Sequence, residues 1–276
     1  MFPKVLVAIP AYNKENYIAN SINSILRQSY TDYKILILDN KSSDNTKKLI
    51  NKKFKKFLNN KIEYKYFNQH VNIRNSFQRI LKLKNLKKFK YLKILCADDC
   101  IHKDYLKLAI KSLDKSGPKF FGFGSNLIYK NNKKNLKKRN YGFFGFEKII
   151  SIYFRNFIGC HSSITLKTEF LKNKNFSKDL IYSGDLFFYL SFYSHKKILF
   201  SKKYLTFFEI GDKNTETNKL FGSEIMIKDK QKFRKKIIRK LYKGNIQKIN
   251  LLINTLICVI ENFYFRLFNI LKKNNL

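Results

Sequence analysis

Apolar positions along this chain repeat in two rhythms that alternate. Lys4-Val5-Leu6-Val7-Ala8-Ile9 is a continuous apolar, β-branched run closed by Pro10, the pattern of a strand buried on both faces. The turn after it leads into Ile18, Ile22, Ile25 and Leu26, spaced i, i+4, i+7 and i+8, so a helix is predicted with Asn13 as a candidate cap. Lys34-Ile35-Leu36-Ile37-Leu38-Asp39 reads as a second strand, and Ser42, Ser43 and Asp44 offer caps for a helix carrying Leu49, Ile50, Phe54 and Phe57. Ile62 to Phe67 is the third strand, followed through Asn68, His70 and Asn72 by a helix with Phe77, Ile80 and Leu81. Tyr91 to Leu95 is the fourth. Strands alternating with helices in this way argue for an α/β fold: a mostly parallel central sheet, right-handed crossovers, and helices on both faces.

Beyond that point the rhythm loosens. A helix is predicted from about Lys103 to Ser116, an extended segment from Phe120 to Tyr129, and an exposed hairpin tip in the Lys- and Asn-rich loop Lys130 to Asn140. Phe146 to Phe154 reads as helix and Ser162 to Leu166 as strand; Ser183-Gly184-Asp185 opens a helix through Phe187, Phe188, Leu190 and Phe192. Tyr204 to Ile210 is a last strand, and Gly211 to Ser223 is loop enough for a flap over a site. The C-terminal segment differs in kind. Lys228 to Lys248 is densely basic, and Ile246, Ile249, Ile253, Leu256, Ile260, Phe263, Leu267 and Ile270 form a stripe on one long helix, interrupted by Asn254, Glu261 and Asn262. Such a stripe suits packing on the rest of the chain or on a second copy in a homodimer. It also suits residues 228–271 lying against an anionic membrane surface.

Composition adds less than its extremes suggest. The 276 residues, 44% hydrophobic, suffice for one large domain with an appendage. A net charge of +38 ordinarily points to a polyanionic partner. Here Lys far outnumbers Arg, Asn, Ile and Phe are abundant, Trp is absent, and the lysines run along the whole chain. That is the drift of an A- and T-rich coding sequence, so no nucleic acid is expected as partner. Cys96, Cys100, Cys160 and Cys258 lack disulfide-framework spacing, which fits a reducing compartment. No secretory signal and no uninterrupted apolar run of spanning length is visible, so the expected place is cytoplasmic, with a peripheral position on the inner face of the membrane as the variant.

The chemistry concentrates where the fourth strand stops, at Asp98-Asp99. Adjacent carboxylates at the carboxyl end of a strand in an open α/β sheet repel unless a cation or a set of donors holds both charged. Oxygen ligands suit Mg²⁺ or Mn²⁺, which bind through one or two carboxylates plus phosphate oxygens. The same pair also suits a solvated turn capping the next helix.

Val7-Ala8-Ile9-Pro10-Ala11-Tyr12-Asn13-Lys14-Glu15, Ser21-Ile22-Asn23-Ser24-Ile25-Leu26-Arg27-Gln28-Ser29-Tyr30, Ile37-Leu38-Asp39-Asn40-Lys41-Ser42-Ser43-Asp44-Asn45-Thr46 and Leu95-Cys96-Ala97-Asp98-Asp99 together resemble the family 2 glycosyltransferases. The resemblance implies the Rossmann-like GT-A fold with a helical C-terminal extension: residues 1–222 as catalytic domain, 1–116 for the nucleotide-sugar and 117–222 for the acceptor, and 223–276 as a basic amphipathic segment. It implies that Pro10, Ala11, Tyr12, Asn13 and Glu15 line the donor pocket, that Asp39 accepts from the base imide, and that Asn72 and Arg74 continue the site. Ala97 and Asp98 would follow, with Asp98 and Asp99 holding a divalent Mg²⁺ or Mn²⁺.

The resemblance further implies Asp185 as general base in a single inverting displacement, moving one sugar from a nucleotide-sugar, with uridine the family expectation, onto a glycan or glycolipid acceptor in cell-surface polysaccharide synthesis. Asp185 also suits a plain N-terminal helix residue. Departures from the family pattern are Cys96 where a further Asp is common, Gly184 where a Glu precedes the base, and Phe208-Glu209-Ile210-Gly211-Asp212-Lys213, which lacks the usual Arg and His. They motivate a catalytically weakened nucleotide-binding homologue as the alternative, with a basic nucleic-acid-binding protein further behind. Gln231-Lys232-Phe233-Arg234-Lys235 lacks the Trp of processive members, so one sugar per encounter is expected, and His161 is expected to pack at a strand start.

Overall fold

A computed structural model describes residues 4–116, 120–129, 132–139, 161–181, 183–190, 198–210 and 223–274. Its first half is the expected α/β unit. Strands β1 (Val5–Ala11), β2 (Tyr33–Asp39), β3 (Ile62–Tyr66) and β4 (Tyr91–Ile94) pair in parallel in the order β3-β2-β1-β4. They are joined by α1 (Ile18–Leu26), α2 (Thr46–Lys53) and α3 (Ile73–Leu81). Strand alternation sends Leu6, Ala8, Leu36, Leu38, Leu92 and Ile94 into one buried cluster, with Phe77 and Ile80 of α3. Val5, Val7, Ile9, Ile35 and Ile37 enter a second, with Ile18, Ile22 and Ile25 of α1 and Ile50 of α2. A sheet covered on both faces needs apolar residues at odd and even positions alike, which is why β1, β2 and β4 read as apolar runs broken only at Lys34 and Lys93, whereas the edge strand β3 alternates as Ile62-Glu63-Tyr64-Lys65-Tyr66.

Beyond β4 the sheet turns mixed. Strands β5 (Cys100–Ile101), β6 (Phe120–Tyr129), β7 (Asn132–Arg139), β8 (Ile164–Lys167) and β9 (Ile198–Ile210) complete nine strands in the order β3-β2-β1-β4-β8-β6-β9-β5, with β7 on β6. β4–β8, β8–β6, β6–β7 and β9–β5 are antiparallel, and β6–β9 is parallel. The chain passes from β4 in the middle of the strand order to β5 at its end through residues 95–99, which turn where Asp99 N–H donates to the Cys96 carbonyl at 3.0 Å, and β5 lies against α1, with Ile101 N–H donating to Ser24 Oγ at 3.2 Å. Helix α4 (Tyr105–Ser116) follows, adding Leu106, Ala109 and Leu113 to the second cluster. Helices α5 (Gly184–Leu190), α6 (Glu224–Leu241) and α7 (Gly244–Asn274) complete the described chain.

Several local expectations are corrected. β1 continues through Pro10 to Ala11, because β4 pairs only as far as Ala8 and Pro10 lies past the point where a missing N–H would cost a ladder bond. Asn13 does not cap α1, which starts at Ile18 after Tyr17; it takes a left-handed conformation, φ 50°, in the loop before it. α2 stops at Lys53, so Phe54 and Phe57 lie beyond it. The stretch expected to be a loop at Lys130 to Asn140 contains strand β7, and β9 begins earlier than Tyr204. Ser162 and Ser163 belong to a 3₁₀ turn, His161–Ser163, ahead of β8. The helix expected at Phe146 to Phe154, Phe192, and the flap, apart from Ser223, lie outside the described residues.

The C-terminal helices contrast with each other. Phe233 and Ile237 of α6 join the first core cluster. α7 packs along α6, yet Leu252, Leu256, Val259 and Phe263 stay more than half exposed while Asn250 and Asn254 are buried.

Candidate active site

The loop after β1 and the segment after β2 are laced together. Asn13 N–H donates to Ser42 Oγ at 3.0 Å, and Asn13 Oδ1 accepts from Ser43 N–H at 2.8 Å. Lys14 N–H donates to Thr46 Oγ1 at 2.8 Å, Glu15 N–H to Asp44 Oδ2 at 3.0 Å, and Glu15 Oε2 accepts from Asn45 N–H at 2.8 Å. The side chains of Asn13 and Glu15 are thus engaged in building the rim at the carboxyl ends of β1 and β2. Tyr12, 40% exposed, stacks at a tilt on His70 with ring centres 4.4 Å apart, leaving an aromatic surface open beside that rim.

Asp39 ends β2 opposite Ala11, with no solvent exposure. Its Oδ1 accepts from Ser42 N–H and its Oδ2 from the Tyr64 hydroxyl, each at 2.7 Å. Burial, with the bond to Asp39, drives the Tyr64 phenol far up, so it stays a donor. A carboxylate has about four lone-pair positions, so each oxygen keeps a lone pair beyond these two bonds.

Asp98 and Asp99 sit in the connection between β4 and β5, and ligand atoms of Cys96, Asp98 and Asp99 lie within 4.8 Å of one another. Lys14 Nζ is 2.7 Å from Asp98 Oδ2, which brings the β1 loop onto the acidic pair. Asp99, 1% exposed, accepts from Ser162 Oγ, and the same Oγ accepts from Cys96 N–H at 3.0 Å. Ser162 is in turn fastened by Lys93: fully buried in β4, it donates from Nζ to the carbonyls of Ser162 and Ile164 and to the Tyr105 hydroxyl at 2.9 Å. Two carboxylates held close by a cationic side chain and a hydroxyl form an oxygen donor set that fits a hard divalent cation. The Cys96 thiol is too soft to favour Mg²⁺ or Mn²⁺.

The 3₁₀ turn links this pair to α5. His161 Nδ1 and the Tyr189 hydroxyl are 2.6 Å apart, and the imidazole packs on Phe77 with centres at 4.0 Å. Burial and nearby Lys93 push His161 down to about 3, so it is neutral and packs as the sequence suggests. Asp185 precedes Tyr189 by four residues, one helical turn, and so shares its face of α5. Burial among its neighbours lifts the Asp185 carboxyl to about 6; its bond from Leu186 N–H, 2.7 Å, opposes the rise and Asp229 of α6 adds to it. Asp229 also accepts from Ile181 N–H and from Ser183 N–H, the latter at 2.7 Å, which fastens the entry to α5.

Two expected site residues have local roles here. Asn72 caps α3, accepting from Asn75 N–H at 2.9 Å, and Arg74 donates to the carbonyls of Ser177 and Lys178. Pro10 and Ala11 end β1, and Ala97 is buried beside the acidic pair. Gly211-Asp212-Lys213 lies outside the described residues. Sequence reasoning did not find Tyr64, Ser162, Lys93 or Asp229. A lysine inside an apolar strand is a signal that could have flagged Lys93; the others become visible only through contacts distant along the chain.

The chain is similar to known proteins in sequence and in fold. The description of glycosyl transferase family 2 matches residues 6–212. An uncharacterized glycosyltransferase of Methanocaldococcus jannaschii is 26% identical over 190 residues, 68% of this chain and 64% of its own length. Of the uncharacterized glycosyltransferases of Rickettsia conorii and Rickettsia felis the chain spans only 20% and 22%. Among solved structures, S. aureus TarS 1-349 in complex with UDP-GlcNAc superposes with a TM-score of 0.66 at 17% identity, over 90% of this chain and 70% of that one. The mannosyltransferase PcManGT from Pyrobaculum calidifontis, in complex with GDP-Man and Mn²⁺, superposes at 0.64 with 13% identity, over 96% and 72%. The GT-A fold is therefore the observed one.

Proposed function

The chain belongs to glycosyl transferase family 2, and from that premise we propose that it is a metal-dependent inverting transferase. It would move one sugar from a nucleotide-sugar, with UDP as carrier, to a hydroxyl of a glycan or glycolipid acceptor in cell-surface polysaccharide synthesis, at the inner face of the cytoplasmic membrane. Residues 1–116 would hold the donor and 117–222 the acceptor.

The observation that carries this reading is the Lys14–Asp98 ion pair and the Ser162–Asp99 bond at the end of strands adjacent to Asp39, with the His161–Tyr189 contact fastening α5, the helix on which Asp185 lies, to the same 3₁₀ turn. Tyr12 would stack on the base and Asp39 accept its imide N–H, while Pro10, Ala11, Asn13 and Glu15 shape the wall. Asn72, Arg74 and Ala97 would border the donor further along. Asp98 and Asp99 would hold Mg²⁺ or Mn²⁺, which when bound supplies charge stabilisation to the departing diphosphate. Lys14 adds a positive charge at the same place. Asp185 would take the proton of the acceptor hydroxyl; a carboxyl near 6 is ionised at neutral pH yet basic enough to work.

Thermal-shift titration with UDP, GDP and their sugars, with and without Mn²⁺, tests the donor half. A ligand at 100 times its Kd adds about 2.7 kcal/mol. The expected pattern is nucleotide stabilisation that Mn²⁺ enhances, with the enhancement lost in Asp98→Asn and Asp99→Asn. No shift with any nucleotide would refute the reading. Stabilisation without transfer or donor hydrolysis would favour the weakened homologue instead.

A further inference from the structure

The C-terminal hairpin is packed with its polar side in. Arg234 of α6, 2% exposed, donates from Nε to Asn254 Oδ1 at 2.8 Å and from Nη1 to Glu261 Oε1 at 2.9 Å, and Asn250 is 5% exposed on the same side of α7. At 3.6 residues per turn, Ile249, Leu252, Ile253, Leu256, Val259 and Phe263 fall on an arc of about 120° facing the other way. Their exposures run from 41% to 64%. A helix ordinarily buries its apolar arc and exposes its polar one. Here the Arg234–Asn254–Glu261 contacts hold it in the reverse sense.

We propose that this outward arc docks the chain in the plane of an anionic lipid surface, deepening the membrane-face reading given above. Charge selects the occupant. Residues 224–274 carry thirteen Lys and Arg against three Asp and Glu, and Lys228, Lys232, Lys235, Arg239, Lys243 and Lys248 are exposed. A second copy seated on the arc would bring two such basic segments together, whereas anionic headgroups supply the opposite charge. Depth follows from the polar seam. Gly244–Phe265 is long and apolar enough by length and composition to cross a bilayer. Crossing would nonetheless carry Asn250, Asn254 and Glu261 into hydrocarbon or strip Arg234 of its partners, and in-plane docking keeps every one of those bonds. Because Asp229 of the same hairpin fastens the backbone just before Asp185, the lipid surface would lie alongside the acceptor half. A glycolipid would then reach the site from the surface that holds the protein.

Co-sedimentation of the full chain with vesicles of phosphatidylcholine alone, or with 30% phosphatidylglycerol, tests this. Binding should rise at least about tenfold with the anionic lipid and fall as salt is raised. Leu256→Glu with Val259→Glu should abolish it, while Thr255→Glu, on the polar flank of α7, should retain most of it. Helix content by circular dichroism and nucleotide-induced thermal shift read folding and the donor site separately, so a failed docking surface is distinguishable from a failed transferase assignment. Equal binding to both vesicle types, binding unaffected by the double substitution, or a stable dimer in lipid-free solution that the double substitution dissociates would each overturn the proposal.

Discussion

Asp185→Asn probes the candidate base through stability as well as turnover. Burial raises the carboxyl from 3.8 to about 6, so the folded chain holds this proton more tightly than the unfolded one. The ionised group therefore opposes folding: stability from this residue is complete below 3.8 and is lost as pH rises through about 6. The gap between 3.8 and about 6 corresponds to at most about 3 kcal/mol, a ceiling that solvent screening lowers because Asp185 is only partly buried. Asn carries no charge at any pH and can still accept from Leu186 N–H, so the variant should be more stable than the parent by up to about 3 kcal/mol at pH 7.5, and by almost nothing at pH 3.5. Urea unfolding at a series of pH values measures this directly. The parent's turnover should fall on an acidic limb near 6, and the variant should lose 10²- to 10⁴-fold in turnover with donor binding unchanged. A variant no more stable at pH 7.5, with the parent's pH slope, would refute the electrostatic argument. Normal turnover would refute the assignment as base.

Ser162→Ala removes the hydroxyl shared by Asp99 and Cys96 N–H; unfolding by urea should show a loss of about 1–3 kcal/mol, and the Mn²⁺-dependent part of nucleotide stabilisation should weaken. His161 titrates in the opposite direction to Asp185: held near 3 in the fold against 6.5 when unfolded, it contributes stability that is present above 6.5 and lost as pH falls towards 3. His161→Leu should accordingly flatten the acid side of the stability profile below pH 6.5, measured by the same titration. Lys14→Gln takes away the cation 2.7 Å from Asp98, so calorimetric binding of Mn²⁺ without nucleotide should tighten while nucleotide binding weakens; unchanged affinity for both would show that the pair has no bearing on the site.

Local pattern was sufficient for the first four strands and their helices, because a sheet covered on both faces forces short β-branched apolar runs in β1, β2 and β4, and the edge strand β3 alternates Ile62, Tyr64 and Tyr66 with Glu63 and Lys65. The run at Tyr91 to Leu95 and the carboxylates after it were legible for the same reason. So was Asp39 at the end of β2, since the carboxyl ends of parallel strands share one edge. The second half resisted. The sequence of Asn132–Arg139 has lysine and asparagine at odd and even positions alike, with no strand alternation to read, and its pairing with β6 makes it a strand. Asn13 and Glu15 look like donor-pocket residues in the motif, yet their side chains bond the segment after β2, a partnership about 30 residues away.

What the amino-acid sequence determined by itself was the rhythm of the parallel sheet, the acidic residues at its carboxyl edge, and the existence of a long apolar-striped helix at the end. What only the tertiary structure decided was which groups those residues meet: the Lys93–Ser162–Asp99 link, Asp229 behind Asp185, and the direction in which α7 presents its stripe. Periodicity along a helix specifies that an apolar arc exists. Which way it faces depends on a buried guanidinium 20 residues upstream, and no pattern local to the helix contains that information.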